Sequence, residues 1–327
     1  MSQQLTEADR AVLAQLLELK VPKTEIAQRL HKHRSSIYRE LARNTGPVGY
    51  IPQEAQQRTD IRRWVNHRVR KMHDPRIRRY VCQRLKRYWS PDQIAGRLRR
   101  ECRGQPKRCL SRQTIYEWVH RQPNEERRRW RGYLRFGMSR RRRRENGGQL
   151  PNAVRIDGRP KIVASRRRYG DWEGDTIVGR GHSGGLVSLV ERKSGFTLLA
   201  RVRDRRAETV RLAAEEKWLA LPRSLRRTAT FDNGKEFAEH ERLAETTSMA
   251  IYFAKPYAAW QRGTNENTNG LVRQYVPKGT DLNATSHRAV AAIESSLNDR
   301  PRKRLGYRTP REVLQDYATR RGVAFDI

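Results

Sequence analysis

A β-prone run, Thr228 to Phe231, ends on a carboxylate, Asp232, and Asn233-Gly234 turns the backbone at once, so the acid stands at a strand edge. A second β-prone run, Met249 to Phe253, comes back. After an aromatic loop with Tyr257 and Trp260, a second acid, Glu266, opens a helix. Glu266, Asn269 and Arg273 are spaced i, i+3, i+7 and share one helical face. An acid, an amide and a cation on one face make a poor apolar core. Opposite an acid at a strand end, they make a good site for a divalent metal and a phosphate.

Two carboxylates are too few for phosphoryl transfer on two metals, where ions about 4 Å apart share bridging oxygens. The third candidate is Asp175, in Tyr-Gly-Asp-Trp-Glu-Gly-Asp-Thr-Ile-Val-Gly. Its rivals are Asp171 and Glu173, on the same strand face under period-two alternation, and Glu236, four residues after Asp232. The Trp172-Glu-Gly-Asp175-Thr, Phe231-Asp-Asn-Gly and Gly263-Thr-Asn-Glu-Asn segments resemble the D, D and E blocks of the retroviral-integrase-like transposases. More narrowly, they resemble the IS-thirty family of bacterial insertion sequences, and the 33 residues between Asp232 and Glu266 fit its spacing. Three ordered blocks at a matching interval are specific, where one alone is weak. Trp172 before Asp175 and Thr176 after it fit the family block, which favours Asp175 over its rivals.

The resemblance implies a DNA transposase that binds the terminal inverted repeats of its element, cleaves strands and joins the 3′ ends to target DNA. Its partners would be double-stranded DNA, as element ends and as target, and further copies of itself, a homodimer or higher oligomer in the synaptic complex. Its place would be the bacterial cytoplasm, at the nucleoid. Asp175, Asp232 and Glu266 would be the catalytic residues and the ligands of two Mg²⁺ ions, with Mn²⁺ able to substitute. Oxygen ligands without His or Cys nearby favour those ions over Zn²⁺. One metal would activate water or a 3′-hydroxyl, and the other would stabilise the leaving 3′-oxygen. Arg273 would hold the scissile or a flanking phosphate, and Trp260 and Tyr257 would stack on a base. An endonuclease of the same fold that does not join strands uses the same residues. A non-catalytic DNA-binding regulator would keep only the helical half, and three candidate metal ligands argue against it.

Charge points the same way. The 327 residues carry 71 Lys and Arg against 35 Asp and Glu, a net charge of +36. Such an imbalance repels itself in a compact state, and a polyanion relieves it. No apolar run approaches the length of a membrane span, and the N-terminus lacks the cationic start and apolar stretch of a secretory signal. Cys82, Cys102 and Cys109 are odd in number and form no Cys-x-x-Cys pair, which favours free thiols in a reducing cytoplasm.

The first half reads as all-α. Residues 5–44 give three short helices, with Thr6 as a cap and a stripe of Leu5, Val12, Leu13, Leu16, Leu17 and Leu19. Ile26, Ala27, Leu30, Ile37 and Leu41 can close a small core in a helix-turn-helix pattern. The third helix would present Arg34, Ser35, Ser36, Tyr38 and Arg39 to DNA near its N-terminus. Domain 1–46 is followed by a basic linker, 47–73, whose polar stretch reads as an exposed helix or arm. Residues 74–121 repeat the plan. Ser90-Pro-Asp-Gln is a complete helix start, Ile94, Ala95 and Leu98 face inward, and Arg97, Arg99 and Arg100 face outward. Ser111, Arg112 and Gln113 would contact DNA from this second helix-turn-helix, whose other possible role is packing and dimerisation. Residues 122–168 are an Arg-rich linker with ten arginines and no acid between Arg127 and Arg144. Arg140, Arg141 and Arg142, with spaced aromatics nearby, suit phosphate tracking.

From Tyr169 the pattern becomes α/β. Strands are expected from Asp175 to Val178, Gly185 to Glu191, Phe196 to Val202, Thr228 to Phe231 and Met249 to Phe253. Helices fall over Glu208–Leu221, Ala238–Thr246, from Glu266, and Ser286–Leu297. Three strands, a helix, a strand, a helix, a strand and a helix is the ribonuclease-H-like order, a mixed five-stranded sheet. The core would span 169–279 and a C-terminal helical tail 280–327.

Overall fold

Thr6 starts the first helix by a reciprocal cap. Its hydroxyl accepts from the Asp9 amide at 3.1 Å, and the Asp9 carboxylate accepts from the Thr6 amide at 2.8 Å. The computed structural model describes residues 5–68, 71–105, 108–135, 150–255, 258, 261 and 263–322. They divide into two units, Met1–Arg78 and Arg79–Ile327. Pro256, Tyr257, Trp260 and Arg140 to Arg142 lie outside the described residues.

The first unit holds α1 (Glu7–Glu18), α2 (Lys23–Arg29), α3 (Arg34–Asn44) and α4 (Pro52–Arg68). Leu5, Leu13, Leu16, Ile26, Ala27 and Ile37 form its core, with Leu17, Leu30 and Leu41 packed against it. Val12 and Leu19 of the expected stripe are instead solvent-exposed, because the core covers only the narrower Leu13–Leu16 side of α1. The stretch read as a linker is the longest helix of the unit, and it packs on α1 and α3. Its polar sequence hid this because its docking is polar. The guanidinium of Arg10, only 2% exposed, donates to Glu40 on α3 at 2.7 Å and to Gln56 on α4 at 2.6 Å. Arg58 of α4 donates to the Asn44 carbonyl at the end of α3.

The second unit begins within α5 (Pro75–Lys86) and continues through α6 (Pro91–Glu101), α7 (Arg112–His120) and α8 (Asn124–Gly132). Ser90 and Gln93 cap α6 reciprocally, with Pro91 in its first turn. A short α9 (Lys161–Ser165) leads to β1 (Asp171–Val178), β2 (Gly185–Glu191) and β3 (Thr197–Val202). Then follow α10 (Ala207–Leu219), β4 (Thr228–Phe231), α11 (His240–Thr247), β5 (Ala250–Phe253), α12 (Gly263–Tyr275), α13 (His287–Asn298) and α14 (Pro310–Arg321). The sheet order is β3-β2-β1-β4-β5, with β1 antiparallel to β2 and parallel to β4. This is the ribonuclease-H-like, integrase-like arrangement that the order of elements predicts.

Each sheet face has its own core. Trp172, Val187, Leu189, Phe231 and Phe253 pack with Val210, Ala214 and Trp218 of α10 and Leu243 of α11. On the other face Ile177, Leu186 and Leu199 meet Leu271, Val272 and Val276 of α12 and Val290 and Leu297 of α13. The core also extends past both expected limits. Leu150 and Ala153 pack against the first cluster, and Arg155 bridges to Phe253 beside β5. Beyond residue 279, α13 covers the free edge of β3. The Asn298 side chain both donates to and accepts from the Thr197 peptide at 2.8 Å, and Glu294 accepts from the Leu199 amide at 2.6 Å. An edge strand so covered cannot recruit another strand.

Helices α5 to α8 are welded to this core, and the C-terminal segment is the weld. Arg97, expected to face outward, makes a bidentate ion pair with Glu312 of α14 at 2.6 and 2.8 Å. The Arg300 side chain, 1% exposed, donates to Gln93 at 2.8 Å and Gln274 of α12 at 2.7 Å. Burial lowers its pKa to about 10, since its partners are neutral amides. Tyr88 meets the edge of Tyr275, ring centres 4.9 Å apart. At Gly96 the Tyr307 ring lies so close that a Cβ would stand 2.3 Å from it.

Gly96 gives a test with an unusual sign. In an exposed helix interior, Gly→Ala stabilises by about 1 kcal/mol. Here Gly96→Ala is expected to lower stability by about 1–3 kcal/mol through overpacking. Urea denaturation of Gly96→Ala, Tyr307→Ala and the double variant should show that the alanine at 96 costs less once the ring is gone. Equal costs in both backgrounds would mean that the contact does not hold the weld.

Candidate active site at the ends of β1 and β4

Strand β1 lies at the centre of the sheet and carries acids on one face. Asp171 pairs with Thr228 and Glu173 with Thr230 in parallel register. Extended by two residues along each strand from the Glu173–Thr230 pair, that register sets Asp175 beside Asp232. Between the acids, Gly174 is required, because a Cβ there would stand 2.2 Å from the Phe231 ring. The glycine lets β4 carry a phenylalanine into the core and an acid immediately after it.

The rival acids have structural partners. Asp171, 1% exposed, accepts from Arg168 at 2.9 and 3.0 Å and from the Thr228 hydroxyl at 2.8 Å. Glu173 is fully buried. One of its oxygens accepts from the Asn265 amide in the first turn of α12 at 2.9 Å. The other lies 3.2 Å from the buried Arg192 guanidinium, an ion pair without hydrogen-bond alignment. Glu236 accepts from the Thr176 hydroxyl at 2.7 Å. Thr176 alternates with Asp175, so this contact lies on the opposite face of β1.

Helix α12 is laid against the acidic face by a polar seam. The Ser188 hydroxyl in β2 is 3.1 Å from the Asn265 side-chain oxygen and 2.8 Å from that of Asn269. Asn269 in turn donates to Asp175 at 2.8 Å. One turn on, Arg273 donates to the Val178 carbonyl at the end of β1, at 2.9 Å. Burial lowers the Arg273 pKa. Glu266 is exposed in the first turn of α12, beside the buried Thr264 and Asn265. Among the described residues, no three His, Cys, Asp or Glu side chains stand together closely enough to hold a metal ion. The structure thus has Asp175 within β1 and Asp232 just past the end of neighbouring β4, with α12 packed on β1 and β2, and among the described residues it does not gather three carboxylates around one point.

Sequence reasoning missed Ser188 and the role of Asn233. A serine in the buried run Leu-Val-Ser-Leu-Val is itself a signal, since a hydroxyl there needs a partner. Asn233 clamps the loop after Asp232: its carbonyl oxygen accepts from Arg155 at 2.6 Å, and its amide donates to the Ala254 carbonyl at 2.8 Å. Of the expected DNA-contacting residues, Arg34, Tyr38 and Arg39 are exposed on α3, and Ser35 and Ser36 are half-buried. The Ser35 hydroxyl is taken up locally by His33 at 2.8 Å and Arg39 at 2.9 Å. Ser111, Arg112 and Gln113 are exposed at the start of α7, where Ser111 caps the helix. Among the described residues, Cys82, Cys102 and Cys109 form no disulfide. No helix among the described residues is long and apolar enough to cross a membrane.

The first unit holds a helix-turn-helix and the second an integrase-like sheet. A helix-turn-helix domain family matches residues 2–44. The chain is 37% identical to the transposase for insertion sequence element IS4351 of Bacteroides fragilis, over 99% of each chain. It is 39% identical to that for IS1086 of Cupriavidus metallidurans, over 88% of this chain and 87% of the relative. It is 35% identical to transposase InsI for IS30A of Escherichia coli K12, over 98% of this chain and 84% of the relative. Among solved structures it is similar to the catalytic core domain of BIV integrase, at 20% identity and a TM-score of 0.36, over 46% of this chain and 97% of that one. The chain belongs to the IS30 family of insertion-sequence transposases.

The assignment of structural and catalytic acids on β1 is testable by stability. Glu173→Ala should cost about 3–5 kcal/mol, because it strands the buried Arg192 and frees the start of α12. Asp175→Asn keeps an acceptor for Asn269 and should change stability by about 1 kcal/mol or less. Chemical denaturation of the two variants measures both. A stable Glu173→Ala protein would remove the reason for ranking Glu173 as structural.

Proposed function

We propose that this transposase binds the terminal inverted repeats of its own insertion sequence, cleaves DNA strands there and joins the 3′ ends to target DNA. The reading is supported by the parallel register of β1 and β4, which puts Glu173 opposite Thr230 two residues before Asp175 and Asp232, and by the hydrogen bond from Asn269 of α12 to Asp175. Asp175, Asp232 and Glu266 are the catalytic acids in this reading. Two of them belong to neighbouring strands, in β1 and just after β4, and the third is on α12, which packs on β1. Their all-oxygen donor set suits Mg²⁺, with Mn²⁺ as a substitute. Bound there, a divalent ion would lower the pKa of an attacking water or 3′-hydroxyl and offset charge on the leaving oxygen. Asn269 holds the Asp175 carboxylate in orientation through a charge-assisted hydrogen bond. Arg273 is tied by one nitrogen to Val178 and contributes positive charge for a flanking phosphate.

The exposed N-terminal residues of α3 suit the major groove, with Arg34 and Arg39 as the base or phosphate contacts. Ser111, Arg112 and Gln113 on α7 give a second contact, supported by their exposure at a helix start and by the attachment of α6 to the core. Arg140, Arg141 and Arg142 are proposed to add phosphate contacts without base identity. Two or more copies would hold the paired ends.

The triad is tested with end-bearing oligonucleotides in Mg²⁺. Asp175→Asn, Asp232→Asn and Glu266→Gln should each slow cleavage and joining by about 10²–10³-fold or more, the scale for losing one group that stabilises transition-state charge. End binding should remain. Near-normal joining by any one variant would remove that residue from the site. Joining absent in the wild type, with cleavage intact, would favour an endonuclease.

The helix-turn-helix reading is tested in the full chain. Arg34→Ala should weaken binding to the element's ends by about 1–3 kcal/mol and narrow the gap between specific and random duplex if it contacts a base. Unchanged affinity for both duplexes would remove Arg34 from the interface.

A further inference from the structure

A cleft of about 480 Å³ opens at the opposite pole of the sheet from Asp175 and Asp232. It is lined by Arg168, Arg223, Arg226 and Arg227, with Ser224 and Ser248 between them, and no acidic side chain among the described residues lines it. Strands β1 and β4 begin there. Four residues of strand at about 3.3 Å each, some 13 Å, separate Thr228 from Asp232. One phosphate cannot reach both places.

The donors of the cleft are only partly used inside the protein. Arg168 spends two nitrogens on Asp171, at 2.9 and 3.0 Å. Arg223 gives one nitrogen to the Arg226 carbonyl at 2.6 Å. The Arg226 Nε and the Ser224 hydroxyl are buried and have no hydrogen-bond partner among the described residues. A buried donor left unmatched costs about 1–3 kcal/mol, so two in one basic cleft mark a place where an acceptor belongs. Arg227 is exposed at the rim. Asp171 offsets one of the four positive charges. Arginine forks and hydroxyls around a concave opening are the donor set for phosphate oxygens.

We propose that this cleft is a second DNA site, which grips the phosphodiester backbone of a duplex away from the point of cleavage. It rests on the reading of the chain as a protein that acts on duplex DNA. The contact is sequence-independent, because phosphates carry no base identity. It gives the catalytic unit a hold on DNA at each end of its central strands.

The test uses the full-length chain in an Asp232→Asn background, so that bound DNA stays intact. Binding of a random-sequence duplex of about 30 base pairs is followed across a salt series. Arg223→Ala/Arg227→Ala removes two phosphate contacts and should flatten the slope of log affinity against log salt by about 1.8. Arg227→Ala alone, at an exposed position, should flatten it by about 0.9. This second variant keeps the test valid should the double one unfold. Arg320→Ala/Arg321→Ala removes the same charge at the end of α14 and should flatten it by less than half as much. Arg223→Lys/Arg227→Lys should restore most of the slope. An unchanged slope, or an equal effect of the α14 control, would overturn the proposal. So would loss of inorganic pyrophosphate binding with duplex affinity intact, which would assign the cleft to a small phosphate compound. Failure of the triad variants to abolish joining would count against the catalytic reading and leave this binding result standing.

Discussion

The hydrogen bond from the Asn265 amide to Glu173 fixes the start of α12 on β1, and the rest of the site depends on it. A carboxylate at a helix N-terminus meets unsatisfied amides and the positive end of the helix dipole. Glu173 does so in full burial, with Arg192 on its other side. Ser188, Asn265 and Asn269 continue the seam and close it on Asp175. Buried polar networks are costly when incomplete and rigid when complete. Here the network adds direction to the apolar packing of Leu271, Val272 and Val276 that holds α12 on the sheet. Two acids two residues apart on one strand face therefore divide the work. The buried one receives the start of a helix, and the other accepts from Asn269 one turn further along it.

Much of this was legible in the sequence, and the failures share one cause. Strand and helix periodicity located β2 and β4 to the residue, and the Ser90-Pro-Asp-Gln start predicted the cap of α6. Those signals are local. Residues 52–68 read as a solvated arm because their contacts are made by Arg10, Gln56 and Arg58, polar side chains that a hydrophobic pattern ignores. Arg97 read as outward for the same reason, and its partner Glu312 lies more than two hundred positions away. The acids of β1 alternate correctly, yet alternation alone could not say which one holds a helix. That needed the helix.

Attachment of α5 to α8 to the core changes how the second helical module works. The Arg97–Glu312 pair, the Gly96–Tyr307 contact and the buried Arg300 all join α6 to the C-terminal segment. Helix α7 follows α6 and contacts it, so its exposed first turn is carried by the catalytic unit. DNA held by Ser111, Arg112 and Gln113 would then be presented to the carboxylates in one orientation, with no linker entropy to overcome on docking. The C-terminal segment does more than end the fold: α13 protects the edge of β3, and α14 locks α6.

Excess positive charge poses a particular problem for a site made of acids. A chain with 71 basic and 35 acidic residues puts a guanidinium near almost any carboxylate. Several arginines of the second unit are held by partners within it: Arg273 by the Val178 carbonyl, Arg192 by Glu173, and Arg159 by the Thr230 hydroxyl at 2.9 Å. Elsewhere, Arg300 is buried between two glutamines, which hold it without using an acid. Spending amides and carbonyls on buried arginines conserves carboxylates in a chain that has few.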